Sequence, residues 1–90
     1  MDKNQELAYD IIDTLPDSEE GIRGLFSEYP ISLLNDIKSI LTQGVDFNNP
    51  EDYETFLSLI NPKHALTIKL CDEYIKEKEE AKKRRYSVNN

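Results

Sequence analysis

The sequence predicts an all-α fold: a small bundle of about five short helices, the last one longer and projecting. Three observations predict it. Apolar residues recur three and four apart along most of the chain. Four prolines divide it at helix-sized intervals, and a proline moves the residue before it out of the α region while fitting the first turn of the next helix. Asx-Pro and acidic start signals then precede the periodic stretches, where caps and the positive dipole end favour them.

In the first segment Leu7, Ile11 and Leu15, with Ala8 and Ile12 beside them, form one apolar stripe. The second opens with Asp17 followed three residues later by Glu20, the pattern of a capping box. Ile22, Leu25, Phe26 and Tyr29 then repeat at helical spacing. Gly21 and Gly24 lie inside that turn and each costs about 1 kcal/mol relative to alanine, so this helix is expected to be short and weak.

The third segment starts near Pro30 and carries Ile31, Leu33, Leu34, Ile37, Ile40 and Leu41, with Asp36, Lys38 and Ser39 opposite. It is the most apolar helix and is expected at the centre of the core, closed by a left-handed cap at Gly44. Residues 45–48 read as a loop. Asn49-Pro50-Glu51-Asp52 is a strong helix start, and Tyr53, Phe56, Leu57 and Ile60 form the face expected to be buried.

Asn61-Pro62 repeats the cap-then-proline device. After it, Leu66, Ile68 and Leu70 alternate with Thr67 and Lys69, which is a strand signal. Against that, Leu66, Leu70 and Tyr74 also fit a helical stripe. From Ile75 to Lys83 the residues are strong helix formers with opposite charges three and four apart. Helix is therefore expected from about Pro62 towards Arg85, with its last turns lacking an apolar face and Ser87 to Asn90 frayed. Residues 1–80 are read as a single helical domain, and 81–90 as a basic, partly disordered tail continuing the last helix.

Composition narrows function mainly by exclusion. The 90 residues hold 18 acids and 11 bases, a formal net charge of −7. No apolar run approaches the ~20 residues of a membrane span, and no signal peptide opens the chain. One cysteine provides no internal disulfide framework, which points to a cytoplasmic setting. Clustered Lys and Arg are what bind phosphates, so direct nucleic-acid binding is not expected outside the C-terminal tail.

An enzyme is not expected, nor a cofactor or metal. His64 and Cys71 are the only residues of their kinds, with Asp72 close by. Structural zinc takes four ligands, usually with more Cys and His. Seven residues along a helix is about 10 Å, too far for a Cys–His nucleophilic pair. Gly21-Ile22-Arg23-Gly24 has neither the spacing nor the preceding strand of a phosphate-binding loop.

Charge distribution is more informative. Residues 1–62 contain 13 acids and 3 bases, a net −10, whereas residues 63–90 contain 8 bases and 5 acids, a net +3. Asp2, Glu6, Asp10, Asp13 and Asp17 recur every three or four residues opposite the first apolar stripe. Such a ridge, its carboxylates about 6 Å apart along the axis, suits docking on a basic protein. Lys82, Lys83, Arg84 and Arg85 form the opposite feature, more basic than helix capping requires. Tyr9 falls just off the first stripe, where an exposed aromatic among acids suits an interface.

These features point to a small acidic protein-binding module. One version is a phage- or plasmid-type inhibitor or regulator that docks its acidic face on a basic nucleic-acid-handling protein. The alternative is an assembly, scaffolding or chaperone subunit that self-associates, as a homo-oligomer, and docks through its basic last helix.

Overall fold

The computed structural model describes residues 3–45 and 47–88. Among these it has five helices and no strand: α1 (Lys3–Asp13), α2 (Glu19–Phe26), α3 (Ile31–Thr42), α4 (Pro50–Leu59) and α5 (Pro62–Val88). The all-α bundle expected from the sequence is the one observed. The strand-like alternation of Leu66, Ile68 and Leu70 resolves as helix. Asn61 sets its start: its Oδ1 accepts the Lys63 N–H at 2.8 Å and its carbonyl accepts that of Ala65 at 2.9 Å.

The core joins α1, α2, α3 and α5. Ala8, Ile11, Leu15, Ile22, Phe26, Leu33, Leu34, Ile37, Leu70 and Cys71 are buried together. α1 and α5 both pack on α3, and α2 and α4 pack on α5. The long helix is thus a spine shared by the main core and by α4. Buried Leu57 and Ile68 lie outside the main cluster, on α4 and on α5.

Helix ends refine the expectations. Ser18, and not Asp17, caps α2: its Oγ accepts the Gly21 N–H at 3.1 Å. The backbone selects the residue that is extended just before the first turn, and Ser18 sits there with φ −105° and ψ 148°. Gly21 is also more than a weak point. A Cβ on it would lie 2.7 Å from the Pro16 Cβ, so the α1–α2 connection passes too close for any side chain. α3 ends on two left-handed residues, Gln43 (φ 57°) and Gly44 (φ 75°), where the sequence suggested Gly44 alone. The Gly44 N–H reaches the Ser39 carbonyl at 2.9 Å.

α4 starts as expected: Asn49 Oδ1 accepts the Glu51 N–H at 2.9 Å, with Pro50 in the first turn. Phe47 locks the preceding loop onto this helix, its ring centroid 5.6 Å from Tyr53 and 5.1 Å from Phe56. Of the face expected to be buried, Leu57 is fully so, while Tyr53, Phe56 and Ile60 are half-buried.

α5 spans 27 residues, about 40 Å of helix. It continues through Val88, so 81–88 continue the last helix as expected; Asn89 and Asn90 lie outside the described residues. Lys78 of α5 donates from Nζ to the carbonyl of Ser27, the residue that closes α2, at 3.0 Å. Residues 79–84 are exposed. The projection lengthens the molecule: its radius of gyration is 14.1 Å, against about 12 Å for a compact chain of this size. No helix among the described residues is long and apolar enough to cross a membrane.

Candidate functional site

α1 presents the acidic ridge. Its helical spacing places Glu6, Asp10 and Asp13 on the outer side, all exposed, because Ala8 and Ile11 turn inward against the core. None of the three carboxylates has an ion-pair or hydrogen-bond partner among the described residues. Tyr9 stands between them at 47% exposure. Leu7, expected in the buried stripe, is 48% exposed. The stripe is centred on Ala8, Ile11 and Leu15, which leaves Leu7 at its rim and adds apolar surface to the acidic face.

The ridge is shorter than the sequence suggested. α1 ends at Asp13, so Asp17 lies in the following connection. There its Oδ1 meets Lys63 Nζ at 3.0 Å, and the same ammonium donates to the Leu15 carbonyl at 2.7 Å. Lys63 therefore fastens the end of α1 to the start of α5 and takes Asp17 out of the ridge. Asp2 lies outside the described residues.

The basic cluster rides on the projecting end of α5. Lys82, Lys83 and Arg84 are exposed; Arg85 is helical, its side chain outside the described part. Ridge and basic cluster sit on different helices and form two separate surfaces.

No family model matches the chain. No curated protein is a detectable relative of it, and no solved structure matches its fold.

His64 and Cys71 both lie on α5, His64 half-buried in its first turn. Cys71 is fully buried in the core, and burial, then the nearby Asp72 carboxylate, push its thiol up to about 12, with Lys38 acting the other way. A thiol so held stays protonated and unreactive at neutral pH. Among the described residues no three His, Cys, Asp or Glu side chains gather as metal ligands would.

Helix packing also builds a polar chain that sequence reasoning missed. Asp72 on α5 takes Lys38 Nζ of α3 on Oδ1 at 2.5 Å and the Tyr53 hydroxyl of α4 on Oδ2 at 2.5 Å. Burial first, then the bond to Asp72, push the Tyr53 phenol well above its ordinary range. Arg23 of α2 similarly bridges Glu19, one turn back, and Glu73 of α5, both at 2.8 Å. The only sequence signal for either cluster was opposite charge on helices that later packed together.

Proposed function

We propose that this protein is a non-enzymatic protein-binding module whose acidic α1 face docks on a basic partner, in the manner of a phage- or plasmid-type inhibitor or regulator of a nucleic-acid-handling protein. The observation that carries the reading is the set Glu6, Asp10 and Asp13, exposed and unpartnered among the described residues, with Tyr9 and Leu7 half-exposed beside them. Asp17, Glu19, Asp72 and Glu73 are paired within the fold, whereas Glu20, Glu28, Glu51, Asp52 and Glu54 are also exposed without an ion-pair or hydrogen-bond partner among the described residues. The α1 group differs from these in having Tyr9 and Leu7 half-exposed beside it. Asp10 and Asp13 also occupy the C-terminal half of α1, where no basic residue offsets the negative dipole end. Each carboxylate there costs a few tenths of a kcal/mol, which fits a face kept for contact better than one kept for stability. Aromatic and apolar groups within the acids supply the rigid contact area that charge alone lacks.

Affinity purification from the native host tests this. Glu6, Asp10 and Asp13 are changed together to Lys, and Asp17 is left intact because reversing it would break the Lys63 fastening. The triple variant is expected to lose the co-purifying protein, and a chain lacking residues 81–90 to keep it. Retention by the triple variant overturns the reading.

The projecting end of α5, with Lys82, Lys83 and Arg84 exposed along a continuous helix, favours a second reading: an assembly, scaffolding or chaperone subunit that self-associates through that end. Here removal of 81–90 abolishes association, and light scattering reports an oligomer that dissociates as salt rises.

A further inference from the structure

An open cleft of about 760 Å³ is lined by α3, by Gly44, Val45, Phe47 and Asn48 after it, by the start of α4 and by Asp72 of α5. That volume is within the range of small-molecule sites. The charged part of the lining is the chain described above, with Asp72 holding Lys38 and Tyr53. Each carboxylate oxygen takes one of these partners, and the charges of Lys38 and Asp72 cancel. The lining also holds three polar side chains with no hydrogen-bond partner among the described residues: the amides of Asn35 and Asn48 and the hydroxyl of Ser39. The apolar part of the lining is Phe47, which meets Tyr53 edge to face and packs on Phe56, with half-exposed Val45.

We propose that this cleft binds an uncharged heteroaromatic ring of nucleobase or nucleoside size, one that carries hydrogen-bond donors and acceptors along one edge. Three physical arguments select that chemistry. An anion entering the cleft works against the net −10 of residues 1–62. A cation is favoured by that field but meets the Lys38 ammonium in the cleft lining, where Asp72 is already shared between Lys38 and Tyr53. A neutral ring meets neither penalty. Carboxamides present a donor and an acceptor side by side, the pattern that pairs with the edge of a base, and Phe47 and Val45 supply apolar contact in the same lining. The site is independent of the acidic ridge on α1 and of its proposed partner.

Adenosine and uridine, added separately to the nitrogen-labelled full chain and followed by amide chemical shifts, test the proposal. AMP serves as the anionic arm and benzylamine as the cationic one. The expected result is saturable shifts with at least one nucleoside, confined to Ser39, Thr42, Val45, Phe47, Asn48 and Tyr53, with AMP and benzylamine both weaker. The double variant Asn35→Ala/Asn48→Ala removes only exposed amides, so it folds normally by circular dichroism and binds about tenfold more weakly. Absence of saturable shifts with both nucleosides at millimolar concentration overturns the proposal. So does tighter binding of AMP or of benzylamine, or unchanged affinity in the double variant.

Discussion

Tyr53 donates its phenolic hydrogen to Asp72 across the α4–α5 interface at 2.5 Å, onto the oxygen that Lys38 leaves open. α4 has only one fully buried apolar residue, Leu57, to hold it down. The bond is therefore a large share of what fixes this helix. Tyr53→Phe is expected to lower global stability by about 1 kcal/mol. It should also accelerate amide hydrogen exchange in α4 more than in α3. Equal acceleration in both helices would show that α4 does not open separately.

Alkaline pH should lower stability through Cys71 and Tyr53. Half-buried Tyr29, whose phenol is also raised by burial, adds in the same direction. The Cys71 thiol is raised in the fold from 9.0 to about 12, and the Tyr53 phenol is raised from 10.0, each by burial first. Above these ordinary values the unfolded chain has lost protons that the folded chain keeps, so stability falls as pH rises. Below them both states are protonated and this contribution is constant. Denaturation midpoints measured from neutral pH upward should stay level and then decline from about pH 9 for Cys71, with Tyr53 adding to the slope from about pH 10. Cys71→Ala should flatten the first part of that decline, although the variant starts less stable at neutral pH. A decline equally steep in the variant would assign it to other groups.

The two glycines of α2 should respond to alanine with opposite signs. At Gly24 a Cβ would meet nothing within 4 Å, so Gly24→Ala gains helix propensity, about 1 kcal/mol. At Gly21 the new Cβ would lie 2.7 Å from the Pro16 Cβ and 3.1 Å from the capping Ser18 Oγ. Gly21→Ala must push that connection away and is expected to cost about 1–3 kcal/mol. Thermal melts of both variants decide it, and a stabilising Gly21→Ala would rule out the close approach.

Gln43 holds φ 57° at the end of α3, a conformation an L-residue adopts at a cost of about 1 kcal/mol. Gln43→Gly is expected to raise the melting temperature, and Gly44→Ala, at φ 75° but with open space around it, to lower it through backbone strain alone. Calorimetry on the pair separates strain from packing. No change in either would show that the left-handed turn is not populated in solution.

Much of this fold was legible because its signals are short-range. Asn49-Pro50 and Asn61-Pro62 start α4 and α5 through bonds to residues two positions away, so no partner helix is needed to predict them. Glu6, Asp10 and Asp13 share a face because helix geometry alone puts residues three and four apart together. For the same reason the sequence by itself determined the all-α class, the helix order and the long basic extension of α5.

Tertiary structure decided what depends on how helices rotate against one another. It turned Ala8 inward and left Leu7 at the rim, because Ala8 and Ile11 of α1, with Leu15 just past its end, are the residues buried in the core that α1 shares with α3. It withdrew Asp17 from the acidic ridge by bringing Lys63 to it, and gave Gly21 its purpose by passing Pro16 overhead. It also assembled Lys38, Tyr53 and Asp72 from three helices into the lining of one cleft. A period or a cap is set by bonds within one turn, but a charge finds its partner on another helix only after burial has fixed which faces meet.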